Sequence, residues 1–242
     1  MFMRHTTTRL TIATAGLAIM LGTGLAAPAA AGGVQMASLE ATPQADRTQD
    51  ATVYSFDVYR EGSPIGTHTV RVERLPDGRR QARVTIDLKV KLGFIPLYTY
   101  RHEAVEVVGP DGRLLSLDAQ TDDNGEKLSV TARREGGKVV IDGPQGRKTV
   151  DGDVVPTTYW RNAFVEADTL LDTQNGRVLS VTAQPVREDT VGTGEMRRRA
   201  MEWKLSGDLD LDIWYTPSGD WAKLAFSIGG DRFEYRPTEL PR

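Results

Sequence analysis

From Ala82 to Leu92 every even position is apolar (Ala82, Val84, Ile86, Leu88, Val90, Leu92), and every odd one is polar or charged (Arg83, Thr85, Asp87, Lys89, Lys91). A period of two held this long places one face of a strand on a core and the other in water, which is the signature of an antiparallel sheet. Shorter runs of the same kind flank it. Before it lie Val53–Tyr59 and Gly66–Leu75, the latter with His68, Val70 and Val72 on one face. After it come Leu97–Val108, with Tyr98, Tyr100 and His102 on one face, and then Leu114–Thr121, Lys127–Arg134 and Lys138–Ile141. Further on, Val178–Val186, Met196–Leu205, Leu209–Tyr215, Trp221–Ile228 and Phe233–Tyr235 read the same way.

Turn chemistry punctuates these runs. Pro76-Asp77-Gly78 and Pro110-Asp111-Gly112 combine a preset φ with a residue that accepts φ > 0, and Asp122-Asp123-Asn124-Gly125, Ser218-Gly219 and Gly229-Gly230 supply such a residue without the proline. Spaced about 8–12 residues apart, such signals predict an all-β meander, closed into a barrel or curved into a half-barrel. One stretch departs from the pattern. Tyr159, Trp160, Ala163, Phe164, Ala167, Leu170 and Leu171 recur at helical spacing and predict an amphipathic helix that packs on the concave side of the sheet. Asn175-Gly176 then turns the chain into the next strand.

The N-terminus reads differently. Arg4 and Arg9 precede an apolar run to Ala27, and Pro28-Ala29-Ala30-Ala31 offers small residues at a cleavage site. That is the pattern of a secretory signal peptide over residues 1–31, cleaved near Ala31. A polar leader at 32–51, one β-rich domain at 52–237 and a tail at 238–242 complete the expected organisation. Periplasmic localisation in a Gram-negative cell follows, with no stable membrane anchor after cleavage. The chain has no cysteine, so neither a lipid-modified cysteine nor a disulfide is available to it. Residues 1–31 carry two arginines and no acid, so their removal moves the formal charge from −3 to −5. An acidic balance gives no electrostatic motive for nucleic-acid binding.

Ile65-Gly66-Thr67-His68, Pro156-Thr157-Thr158-Tyr159-Trp160, Leu170-Leu171-Asp172-Thr173-Gln174-Asn175-Gly176 and Trp214-Tyr215 with Gly219 and Trp221 resemble DUF6134. This is a family of exported bacterial proteins defined only as a domain of unknown function. The resemblance runs from Val53 to Tyr235 and implies an exported β protein, with no activity, cofactor or catalytic residue to carry over.

The residues themselves offer few chemical constellations. His68 and His102 fall on inward faces, but a metal site needs three or four ligands and no spacing supplies them, so no metal and no cofactor is expected. Asp208, Asp210 and Asp212 alternate with apolar residues as a solvated strand face does, without the carbonyl ligands of a calcium loop. Arg197-Arg198-Arg199 divides between two faces of a strand. The aromatics suggest more: Tyr98, Tyr100, Tyr159, Trp160, Trp203, Trp214 and Trp221, with His68 and His102, form a candidate ligand-binding set between helix and sheet. The expected function is therefore non-catalytic binding of a small amphiphilic or glycan-like ligand, or envelope assembly. Two alternatives stand beside it. One is a hydrolase or lyase pairing His68 or His102 with a carboxylate such as Asp172 or Glu166; the other is a structural partner that pairs through a sheet edge.

Overall fold

The computed structural model describes residues 51–92 and 94–241, so the expected signal peptide and nearly all of the leader lie outside the described residues. The described chain is one sheet of fifteen strands. The first eight are β1 (Thr52–Arg60), β2 (Ser63–Arg74), β3 (Arg80–Leu92), β4 (Ile95–Val108), β5 (Leu114–Asp123), β6 (Glu126–Glu135), β7 (Lys138–Asp142) and β8 (Lys148–Asp151). The rest are β9 (Val155–Pro156), β10 (Thr169–Leu171), β11 (Val178–Val191), β12 (Arg198–Gly207), β13 (Leu211–Tyr215), β14 (Trp221–Ile228) and β15 (Asp231–Glu239). No helix among the described residues is long and apolar enough to cross a membrane.

The order across the sheet is β8-β7-β6-β5-β4-β3-β2-β1-β15-β14-β13-β12-β11-β10-β9. All pairs are antiparallel except β9 with β10. The first and last strands thus meet in the middle, and the two edge strands are consecutive in sequence. Only Gly152, Asp153 and Val154 join β8 to β9, a link that spans at most about 14 Å. The sheet must therefore roll until its ends adjoin, closed by the chain rather than by ladder hydrogen bonds. Arg134 fastens this seam, with Nε donating to the Leu114 carbonyl at 2.7 Å and Nη2 to Asp153 at 2.6 Å.

The alternation in β3 holds: Ala82, Val84 and Leu88 are buried inside the roll, and the intervening charges are exposed. The expected amphipathic helix does not form. Its stretch holds a four-residue helix, α1 (Ala163–Glu166), preceded by tight turns and followed by β10. The apolar side chains are nonetheless inward, with Trp160, Phe164, Val165, Leu170 and Leu171 all buried. Residues 155–176 therefore act as an irregular plug through the concave side. Tertiary bonds decide this: Tyr159 adopts φ +64°, which breaks a helix, while its neighbours Thr158 and Trp160 are held by a carboxylate of β4. Strand β15 continues through Glu239 and Leu240 is buried, so pairing extends into the expected tail.

Candidate functional site

The inward face of β4 organises the interior. Its even positions Tyr98, Tyr100, His102, Ala104 and Glu106 all point at the plug and are buried. Glu106 has no exposed surface and is fully engaged. One carboxylate oxygen accepts from Thr158 Oγ1 at 2.5 Å and Trp160 Nε1 at 2.8 Å; the other accepts from Arg161 Nη2 at 3.1 Å. Arg161 also donates to the Gly112 carbonyl at 3.0 Å, and the Arg80 guanidinium lies 4.9 Å from the Trp160 ring centre. A buried carboxylate is tolerated only when paired and hydrogen-bonded, and this one is both. It reads as the clamp that seats the plug.

Four residues closer to the start of β4, a second polar group surrounds His102. Nδ1 lies 2.8 Å from Thr121 Oγ1 and Nε2 3.3 Å from Thr173 Oγ1, so both ring nitrogens are occupied by hydroxyls. Tyr100 donates to Gln174 Oε1 at 3.2 Å, Gln174 Nε2 donates to Asp123 at 3.2 Å, and Tyr98 donates to Asp123 at 2.6 Å. Asp172 is buried; its Oδ1 accepts the Gln174 amide at 2.9 Å, and its Oδ2 has no partner among the described protein atoms. Burial pushes its pKa up to about 6, against the hydrogen bonds that favour the carboxylate.

His68 sits deeper, among rings. Those of Trp221, Tyr235 and Tyr159 lie 5.0, 5.6 and 6.1 Å from it, and neither of its nitrogens has a hydrogen-bond partner among the described residues. Burial, with a smaller contribution from His102, lowers its pKa to about 3; burial alone takes His102 to about 4. Both imidazoles are therefore neutral at physiological pH. Between the two groups lies a cavity of about 40 Å³ where Tyr100, His102, Asp172 and Gln174 meet the apolar Ile86, Leu88 and Phe226. That is room for about two or three water molecules. It is far below the ~300 Å³ or more of a ligand pocket.

The structure thus gathers His68, Tyr98, Tyr100, His102, Tyr159 and Trp221 along one lumen, with Trp160 to one side on Glu106. It separates the other two. Trp214 is paired with Glu202 and Lys223 on the opposite face of the sheet, its ring 4.6 Å from the Lys223 ammonium. Trp203 is half-buried opposite Pro185 and Ile213, apart from the polar groups. Neither histidine is hydrogen-bonded to a carboxylate among the described residues, and Glu166 is exposed and accepts from Asn162 at 2.9 Å. Sequence reading missed Glu106 altogether. Its signal was present, since a charge at an even position between Ala104 and Val108 breaks the apolar face of β4.

An open groove of about 610 Å³ lies at one end of the roll, between the β1–β2 turn, the far end of β3 and Asp231. Beside it the β3–β4 tip turns Phe94, Ile95 and Leu97 into solvent at 101%, 64% and 49% relative exposure.

A family model described as a domain of unknown function, DUF6134, matches residues 56–238. No curated protein gives a significant match. Among solved structures, a beta-barrel-like protein of the domain of unknown function DUF1849 from Brucella abortus is similar in fold, with a TM-score of 0.56 at 12% identity. The likeness covers 79% of this chain and 96% of that one.

Proposed function

We propose that this chain, which belongs to the DUF6134 family, is an exported envelope protein that binds through its outer surface and rim rather than by catalysis or by enclosing a ligand. The observation that carries this reading is the filled lumen. The plug brings Trp160, Phe164, Leu170 and Leu171 into the concave side and leaves about 40 Å³ there. An amphiphile or sugar would find its room instead in the open groove of about 610 Å³ by Arg60, Ile65 and Lys89. Export rests on the charged, apolar and small-residue succession of residues 1–31.

Pairing through a sheet edge draws less support. The edge strands β8 and β9 have four and two residues and adjoin each other at the seam. A longer free edge exists on β11 beyond Ser180, because β10 covers only Val178–Ser180. It carries Pro185, a register shift before Arg187, and the charges Arg187, Glu188 and Asp189. Those are the devices by which proteins keep an edge from pairing.

Cell fractionation with intact-mass measurement of the native protein tests the proposal. The expected result is a periplasmic protein that begins near Gly32 and has the mass of its polypeptide alone. A cytoplasmic protein retaining Met1 would overturn the export part. A lipid or sugar that survives native ionisation and is lost on Tyr159→Ala would overturn the filled-lumen part.

A further inference from the structure

We propose that the β3–β4 tip docks the protein on a lipid bilayer that carries anionic headgroups. This hairpin runs past the ladders that bind it to its neighbours. The ladder to β2 ends at Leu88 opposite Gly66, and the ladder to β5 ends at Tyr100 opposite Asp123. Beyond those pairs the Asn124 amide still donates to the Thr99 carbonyl at 2.8 Å, and Ser63–Ile65 lie across the groove from Lys89–Lys91; ladder pairing of Lys89–Leu92 is with Ile95–Thr99 alone. At about 3.3 Å per residue β3 runs ~13 Å beyond its last pair with β2.

What it presents is unusual for a protein surface. Phe94, Ile95, Pro96 and Leu97 are consecutive, and all four are exposed. Successive strand residues point to opposite faces, so the tip is apolar on both sides, a wedge rather than a stripe. A protein partner would cover one face of such a wedge; a bilayer surrounds it. At about 3.3 Å per residue Ile95 to Leu97 span ~7 Å, which fits the ~5–10 Å to which interfacial elements bury their apolar part.

Charge selects the kind of bilayer. Lys89 and Lys91 are exposed at the root of the wedge, opposite Thr99 and Pro96, and neither has an ion-pair partner among the described residues. The acids nearby are engaged: Asp231 with Arg60, Asp87 with Arg101, Asp122 with Lys127, while Asp123 accepts from Tyr98. Glu61 accepts the Arg232 amide, and Glu126 lies on the next hairpin. With the wedge inserted, the two free ammonium groups stand at headgroup depth. The net negative charge of the whole chain acts from farther away, beyond a Debye length of about 10 Å. One short wedge gives weak, reversible attachment, to which the lysines add a second signal.

Vesicle flotation of the processed full chain tests this, with phosphatidylglycerol–phosphatidylethanolamine vesicles set against phosphatidylcholine vesicles. The wild type should float with the anionic vesicles, less so as salt rises. Replacing Phe94→Ser together with Ile95→Ser should lower the partition coefficient at least tenfold. Lys89→Gln with Lys91→Gln should abolish the preference for phosphatidylglycerol. Val186→Ser, at the other exposed apolar site, should change nothing. Unaltered thermal midpoints establish that the variants are folded. Should the double serine variant misfold, a Phe94→Trp reporter replaces it, and its emission must shift to the blue on adding anionic vesicles. An unshifted spectrum overturns the proposal, as does a wild type that floats with neither vesicle. Self-association that the serine pair abolishes, without vesicle binding, gives the tip to a second copy and also overturns it. None of these outcomes bears on the filled lumen, which the native mass decides separately.

Discussion

Single residues carry opposed pH dependences in this interior. His68 and His102 have pKa values lowered by burial to about 3 and about 4, against about 6.5 in an unfolded chain. As pH falls below 6.5 the unfolded state binds protons that the folded state refuses, so stability is lost toward pH 4, by up to ~2.7 kcal/mol per unit for the pair. A urea midpoint that stays flat from pH 7 to pH 5 would mean that the histidines are solvated. Asp172 works in the other direction. Its folded value, raised to about 6, lies above the unfolded one, so its contribution is fully present below about pH 3.9 and is lost as pH rises through 6. Asp172→Asn should therefore stabilise the protein by ~2 kcal/mol at pH 7.5 and by little at pH 4. Equal effects at both values would contradict a buried, unpaired Oδ2. Trp160→Ala removes a buried indole and one of the three donors to Glu106, and should cost ~3–5 kcal/mol in chemical denaturation. Much at this scale was legible in the chain: the inward direction of His68, Tyr100 and His102 followed from the alternation of their strands. Which aromatics share a lumen was not. Trp214 and Trp221 lie on adjacent strands with a register shift between Trp214 and Tyr215, and that shift sends them to opposite faces.

Among the elements, the long strands announced themselves and the short ones did not. Strands β8, β9 and β10 have four, two and three residues, too few for a period to register. The plug misleads for a different reason. A segment that threads a rolled sheet is covered on several sides, so its apolar residues need not share a stripe. The spacing of Tyr159, Trp160, Phe164 and Leu171 is thus compatible with a helix without requiring one. What a periodicity cannot register is the pull of polar partners on other strands: Glu106 on Thr158 and Trp160, and His102 on Thr173. Gly66 illustrates the reverse case, a local signal with a tertiary cause. It adopts φ +150° where β2 meets a register shift in β1, and an added Cβ would overlap the Asp87 carbonyl oxygen on β3. Only glycine permits that approach. Gly66→Ala should part β2 from β3 locally and lower stability by at least ~2 kcal/mol. Hydrogen exchange would locate the damage at the amides around Asp87 and Leu88, and unchanged protection there would refute the close contact.

The whole molecule is held by its least local contact. Because β1 pairs with β15, residues such as Val58 and Tyr235 meet across nearly the full described chain. The arm from β1 to β8 and the arm from β9 to β14 share the seam and the plug, but only β15 joins them by a continuous ladder. That strand buries Phe233 completely and Tyr235 almost so, against Phe56, His68 and Trp221. Its loss would expose the His68 cage and leave β1 and β14 with unpaired edges. Pairings of such long sequence separation must also form late, after their loop-closure entropy has been met. A chain ending at Ile228 should therefore lack a cooperative near-ultraviolet thermal transition, although the β2–β6 hairpins keep local strand signal in the far ultraviolet. If that truncated chain melted cooperatively, with native near-ultraviolet intensity, the two arms would be folding units in their own right. The central pair of strands would then be an accessory to the roll rather than its closure.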